Sequence, residues 1–221
     1  MTRAYDIVTF DCYGTLIDWE DGIVSAFTRE AAADGMALAP SRILAAYHEV
    51  EPEVEGSKYR PYREVLAETA RRVADRLGWT LSEERAQFLP ASLAEWRPFP
   101  DTNPALIDLV AAGYRLGILS NVDDDLLGRT RSHFPVEFDL VVTAQQVRSY
   151  KPAHGHFLEA RRRIGKARWL HAAQSWFHDV VPAHDLGIPV VWVNRKSELR
   201  SDDAEPDAEV SNLTGLSDWL G

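Results

Sequence analysis

The chain has 221 residues, 45% of them hydrophobic and 26% charged, ordinary values for a folded globular protein. Its 24 Lys and Arg against 34 Asp and Glu give a formal net charge of −10, which argues against a nucleic-acid or anionic-membrane surface and means that an anion site needs local positive charge. The single cysteine, Cys12, excludes an internal disulfide framework and a cysteine metal cluster; no apolar run approaches the ~20 residues of a membrane span, and the opening MTRAYD has no apolar signal core, so a soluble cytoplasmic protein is expected.

Residues 5–10 read as a short, apolar, β-branched strand that stops at Asp11 and a glycine turn. From there to residue 95 the pattern is helical. A helix is predicted over 22–33, with Ile23, Ala26, Phe27 and Ala31 on one face. A second covers 41–55, started by Pro40 and Ser41 and kinked or ended by Pro52. A third covers 62–77, where Tyr62, Val65, Leu66, Thr69, Val73 and Leu77 keep helical spacing and Gly78 stops it; a fourth opens at Ser82 and is interrupted by Pro90. After Pro100 the texture changes. Helices over 104–112, 123–133, 154–164 and 182–186 alternate with strands over 114–119, 138–142, 168–173 and 189–193. That alternation predicts a parallel sheet with helices on both faces, to which the strand at 5–10 belongs. The helical block is then an insertion after the first strand. The expected division is a core of residues 1–18 and 96–221 with a helical cap of 19–95, a lid over the C-terminal edge of the sheet. Residues 197–208, polar and proline-containing, read as a surface loop.

Ligands bind at that edge in open parallel sheets. Each strand delivers polar residues there: Asp11, Tyr13 and Thr15 after the first; Ser120 and Asn121 after the second; Lys151 past the third; Gln174, Ser175, His178 and Asp179 after the fourth; Asn194 and Arg195 after the fifth. A carboxylate ending a buried strand is costly unless paired or used. Asp11 is a competent nucleophile if a cation keeps it ionised. Lys151, at a strand-to-helix junction where Pro152 fixes the turn and suits a first helical position, supplies one. Ser120 and Asn121, a hydroxyl and an amide at a helix start, make an anion site compatible with their N-capping tendency. The seven histidines show no metal-ligand spacing. His154 and His156 read as solvated, the acidic run 49–55 as a solvated helix face, and Trp19, Trp96 and Trp176 as core packing or the walls of an apolar pocket.

Asp11-Cys-Tyr-Gly-Thr-Leu16, Leu119-Ser120-Asn121 and Tyr150-Lys151-Pro152, in this order, resemble the first three motifs of the haloacid dehalogenase superfamily. The helical insertion after the first motif resembles its smaller cap domain. The resemblance implies a Rossmann-like α/β core with Asp11 as the nucleophile of a covalent intermediate and Lys151 holding it ionised. It also implies that Ser120 and Asn121 bind and orient the substrate. Thr15 joins the catalytic group, and Asp179 matches the dehalogenase position that positions or activates water.

Phosphatases of the superfamily carry an aspartate two residues after the nucleophile and acids in the fourth motif that complete a magnesium site. This chain has Tyr13 and Gln174 there, and a neutral amide is a poor ligand for a hard cation. A carboxylate attacking a phosphate dianion needs a divalent cation against like-charge repulsion; one displacing halide from an sp³ carbon faces a smaller charge problem. Tyr13 also resembles the choice of the 2-haloacid dehalogenase branch. The implied function is a hydrolase of small anionic 2-haloalkanoic acids, (S)-2-haloacid dehalogenase-like, working through an aspartyl ester with no cofactor and no metal. Tyr13 and Ser175 join the substrate-binding set. The cap arginine that receives halide in that branch has Arg42, Tyr47 or His48 as its counterpart, and Phe157 replaces a tyrosine after the lysine motif. The alternatives are a phosphatase of the same superfamily with an atypical magnesium site, and a non-catalytic ligand-binding member. No nucleic-acid or membrane partner is expected, and a homodimer is left open.

Overall fold

The computed structural model describes residues 3–56 and 58–221. In chain order the main elements are β1 (Ile7–Phe10), α1 (Trp19–Ala32), α2 (Pro40–Glu55), α3 (Tyr62–Arg76), α4 (Phe88–Ser92), α5 (Thr102–Ala111), β2 (Arg115–Ser120), α6 (Asp124–Thr130), β3 (Leu140–Thr143), α7 (Ala144–Val147), α8 (Gly155–Ile164), β4 (Trp169–Ala173), α9 (Val181–Asp185), β5 (Val190–Val193), β6 (Ala208–Val210) and α10 (Leu213–Leu220). They form two compact units. One holds the chain up to Asp18 with Pro98–Asn121 and Ser132–Gly221; the other holds Trp19–Arg97 and Val122–Arg131.

The first unit is built on six parallel strands in the order β3-β2-β1-β4-β5-β6, a Rossmann-like α/β arrangement. All four residues of β1 are buried, as a strand covered on both faces requires. Phe10 lies opposite Ile118 of β2 and Ala172 of β4. The strand order reverses at β1 and β4, and a ligand crevice opens outside the C-terminal ends of strands at such a point. Asp11, one residue past β1, therefore starts where chemistry is possible. The chain then folds back on itself. The N–H groups of Leu16 and Ile17 both donate to Cys12 O, at 2.8 and 2.9 Å, and Gly14, at φ +103°, donates to Ile17 O at 2.8 Å. Only glycine adopts that φ without strain.

The second unit packs α1 to α4 around buried Ile23, Phe27, Ile43, Leu66, Val73 and Leu89. Trp96 lies so close over α1 that a Cβ at Gly22 would stand 2.3 Å from its Cγ. Pro61, before α3, has no side chain that can cap a helix. Asp123 does so instead: its Oδ1 accepts the Tyr62 N–H at 2.8 Å, and its Oδ2 accepts the backbone and Nε hydrogens of Arg63, each at 3.1 Å. A carboxylate there satisfies orphan donors and complements the helix dipole. That contact belongs to the stretch Val122–Arg131, which groups with the helices and not with the sheet unit as expected from the sequence.

Most predicted elements recur with ends shifted by one or two residues. The larger differences have local causes. Pro52 does not end α2, which runs on to Glu55 with the proline inside it and one backbone donor fewer. Pro90 sits in the first turn of α4, where no intrahelical donor is needed, so it stands near the start of that helix and does not interrupt it. Pro152 occupies a cis-peptide turn ahead of α8, not a first helical position. The acidic run on α2 is not wholly solvated. Glu51 is half-buried and accepts the Tyr62 hydroxyl at 3.3 Å, and burial pushes its carboxyl up. The short edge strand β6 and the helix α10 go beyond the sequence expectation; Asn212 caps α10 through Gly215 N–H at 2.9 Å, and Leu213, Leu216 and Leu220 carry helical spacing.

Candidate active site

Asp11, Thr15, Lys151 and Asp179 come together in the first unit. Lys151 is 2% exposed, and its ammonium donates to Asp11 Oδ1 at 2.9 Å, to Asp179 Oδ1 at 2.6 Å and to Leu119 O at 2.9 Å. An ammonium has three hydrogens, so all three are engaged. Thr15 donates its hydroxyl to Asp11 Oδ2 at 3.0 Å and accepts Gln174 N–H at 2.9 Å, tying the loop after β1 to the end of β4. Arg195 braces the same loop. It donates to Thr15 O at 2.8 and 3.2 Å, pairs with both oxygens of Asp101 at 3.0 and 2.9 Å, and stacks over the Phe99 ring at 4.0 Å.

Two carboxylates and one ammonium are thus buried together, and they titrate apart. Burial pushes Asp11 above the ordinary aspartate value; Lys151 pulls it back down and Asp179 pushes it further up, leaving a net rise. Burial would also raise Asp179, but the Lys151 charge and the His171 hydrogen bond outweigh it and hold this carboxyl at about 2. Burial opposes charge on Lys151, yet the two carboxylates keep it above the usual lysine value. Acidification therefore protonates Asp11 before Asp179.

The remaining predicted residues fall into distinct settings. Ser120 is fully buried, and its Oγ has no hydrogen-bond partner. The Asn121 amide turns to the backbone of Lys151: its Oδ1 accepts Lys151 N–H at 2.7 Å and its Nδ2 donates to Lys151 O at 3.0 Å. Ser175 caps the turn Trp176–Val180 by accepting His178 N–H at 3.1 Å, and its hydroxyl is hydrogen-bonded to His178 Nδ1 at 3.0 Å. Tyr13 is half-buried within the loop after β1. Arg42 and His48 lie on α2 in the second unit, both exposed; His48 stacks on Trp19 with centroids 5.3 Å apart and pairs with Glu20 at 3.1 Å. Trp96 is buried in that unit and donates to Ser92 Oγ at 3.0 Å, while Trp176 packs edge-on against Trp192 at 4.7 Å.

One histidine departs from the sequence expectation and a second lies outside it. His156 is fully buried, not solvated. It donates from Nε2 to Ser120 O at 3.1 Å, and burial together with the Lys151 charge holds it near 3. Its position one residue before buried Phe157 on α8 was the available signal. His171 is likewise fully buried and donates from Nε2 to Asp179 Oδ1 at 3.0 Å. A polar residue inside the otherwise apolar run of β4 was its signal.

The donor set does not suit magnesium. Asp11 Oδ1 and Asp179 Oδ1 both hold an ammonium, and the residue between them in the metal pattern is Gln174, whose amide donates to Glu198 at 3.2 Å. Among the described residues no group of three or more His, Cys, Asp or Glu side chains is arranged to hold a metal ion. A hard cation wants several anionic or carbonyl oxygens free to turn toward it.

The chain matches the family model for haloacid dehalogenase-like hydrolase over residues 5–181. It is 29% identical to an (S)-2-haloacid dehalogenase of Pseudomonas putida, across 96% of this chain and 95% of that protein. It is 30% identical to a glyceraldehyde 3-phosphate phosphatase of Methanothermobacter thermautotrophicus, across 87% of this chain and 86% of the relative. Its fold matches that of an L-2-haloacid dehalogenase from Xanthobacter autotrophicus, solved with chloropropionic acid covalently bound, at a TM-score of 0.83 and 22% identity over 98% of each chain. With its sheet order, its Asp11 loop and this match over most of its length, the chain belongs to the haloacid dehalogenase-like hydrolases.

Proposed function

We propose that this hydrolase cleaves the carbon–halogen bond of a small 2-haloalkanoic acid, in the (S) series, through an ester on Asp11, without metal or cofactor. The observation that carries the reading is the saturated ammonium of Lys151, which ties Asp11 to Asp179 and has no hydrogen left over for a phosphate. Tyr13 and Gln174, where a phosphatase needs acids, point the same way.

In the first step a carboxylate oxygen of Asp11 attacks C2, the carbon–halogen bond breaks and halide leaves. Lys151 keeps Asp11 ionised, and Thr15 orients it. The Ser120 hydroxyl, the Tyr13 phenol and the backbone around Ser175 bind the substrate, while Asn121 serves by holding Lys151. In the second step water attacks the ester carbonyl of Asp11, and Asp179 Oδ2, buried without a protein partner, takes the proton. Collapse restores the Asp11 carboxylate and releases the 2-hydroxy acid; the net products are that acid, halide and one proton. The helical unit, residues 19–97 with 122–131, acts as the cap, and Arg42 or His48 receives the halide. The enzyme works in the cytoplasm on an anionic small molecule.

The phosphatase relative supports a second reading, magnesium-dependent phosphate ester hydrolysis at the same aspartate. One paired assay decides. Halide release from 2-chloropropionate and chloroacetate is measured with EDTA, beside p-nitrophenyl phosphate hydrolysis with magnesium. EDTA-resistant halide release supports the dehalogenase; phosphate turnover abolished by EDTA, with no halide release, sinks it. Single turnover in ¹⁸O-water labels the Asp11 carboxylate if the ester forms there.

A further inference from the structure

His171 touches none of the reacting atoms, yet both of its ring nitrogens and one ring edge are engaged. It stands opposite Thr9 where β1 pairs with β4. Thr9 Oγ1 is 2.8 Å from His171 Nδ1, and the Trp169 indole N–H donates to the same Oγ1 at 2.7 Å. The Asp179 carboxylate only accepts, so in the neutral imidazole Nε2 carries the ring hydrogen and Nδ1 is left to accept from Thr9. An indole N–H only donates, so Thr9 Oγ1 accepts from Trp169. The threonine hydrogen goes to Nδ1 at 2.8 Å, not to Leu170 O at 3.5 Å. Nε2 donates to Asp179 Oδ1 at 3.0 Å. Phe157 packs edge-on against the imidazole, with centroids 5.3 Å apart, and fixes its plane.

Thr9, His171 and Asp179 are all 0% exposed. Thr9 and His171, side by side on the paired strands β1 and β4, are costly to bury there, and valine or isoleucine would pack without that cost. Their hydrogen bonds run in one direction and end on the carboxylate beside Lys151. Both of its donors, His171 and Lys151, converge on Oδ1. Resting on the dehalogenase reading for its substrate, we propose that His171 is a positioning residue for ester hydrolysis: held by Thr9 and Trp169, it pins Asp179 by Oδ1 and leaves Oδ2 as the oxygen that takes the proton of water.

The test separates the two half-reactions in the full-length enzyme. With His171→Leu, rapid quench on (S)-2-chloropropionate shows one equivalent of chloride per site at close to the wild-type rate. Steady-state turnover then falls roughly 10- to 100-fold, and the ester adduct accumulates on the Asp11 peptide in the mass spectrum. His171→Gln, whose amide N–H reaches toward the place of Nε2, recovers part of the loss. Equal slowing of both half-reactions, or unchanged turnover without adduct, overturns the proposal. If His171→Leu does not fold, the near-isosteric Thr9→Val replaces it: adduct accumulation supports the proposal and wild-type behaviour overturns it. Wild-type enzyme that releases no chloride sinks the dehalogenase reading alone. The proposal is then judged by ¹⁵N NMR of histidine-labelled protein, where the Nε2–H tautomer at His171, lost in Thr9→Val, supports it and the Nδ1–H tautomer overturns it.

Discussion

Asn121 and Lys151 are joined by a reciprocal pair of hydrogen bonds, amide oxygen to backbone N–H at 2.7 Å and amide nitrogen to backbone carbonyl at 3.0 Å. The end of β2 thereby fixes the backbone from which the ammonium reaches Asp11. A lysine side chain is long and loses much rotamer freedom on ordering, so its placement depends on a fixed root. Asn121→Leu is expected to lower kcat about 100-fold with little change in KM, as a misplaced catalytic group does. An asparagine that acts by touching substrate would raise KM instead; steady-state kinetics on 2-chloropropionate distinguish the two.

Removing the cation should be felt in stability as well as rate. Lys151→Met leaves Asp11 and Asp179 buried without a partner charge, a situation that costs about 3–5 kcal/mol. Without the ammonium both carboxyls move up, so the folded state prefers them protonated. The deficit is then largest at neutral and alkaline pH and shrinks as pH falls through the raised values. Urea unfolding of wild type and variant at pH 8 and pH 5 measures it; a deficit independent of pH would contradict the pairing.

The pH profile of catalysis follows from the same three groups. Asp11 must be ionised to attack, and its carboxyl lies above the ordinary aspartate value of 3.8, so kcat/KM should fall on the acid side at a pH higher than that value. Lys151, raised above 10.5, keeps the alkaline limb beyond that pH. Asp179 acts differently, on stability. Its folded value is depressed to about 2, so its contribution is fully present above the unfolded 3.8 and is lost as pH falls through about 2. A pH–rate profile of wild type, taken beside unfolding at the same pH values, separates loss of activity from loss of fold.

Arg195 should prove structural first and catalytic second. Its paired bonds to Asp101, its two donations to Thr15 O and its stacking on Phe99 use the planar guanidinium fully. Arg195→Met leaves Asp101 with only the Leu213 N–H, at 2.7 Å, among these partners, and is expected to cost about 3 kcal/mol. Arg195→Lys should recover less than half, because an ammonium cannot make the forked contact. Thermal unfolding ranks the three proteins, and halide-release assays below their melting temperatures show what remains once the Thr15 loop loosens.

Much of the site was legible because the residues that meet there lie at places where an apolar run breaks off. Asp11 after Phe10, Ser120 after Leu119 and the QSWFHD stretch after Ala173 are interruptions of strands, and a parallel sheet gathers such interruptions at one edge. What stayed hidden were polar residues placed before the break. His171 lies inside WLHAA, and its partner Thr9 lies inside IVTF. Neither shows a function until the β1–β4 register sets them opposite each other. Asn121 was visible as a polar residue at the site, but which way its amide turns depends on where Lys151 O lies, 30 residues on. Asp123 looked like a local helix start, and nothing nearby in sequence indicates that it caps α3.

That last contact bears on how the chain comes to be assembled. The segment inserted after β1 ends by residue 97, but the carboxylate that closes the first turn of α3 arrives only at Asp123, two residues beyond Asn121. During synthesis the helical block must wait for β2 to be made before α3 is complete. The block is therefore not a self-sufficient cassette. Cut out at residues 19 and 97, or transplanted into another member of the family, it would leave its helix cap behind.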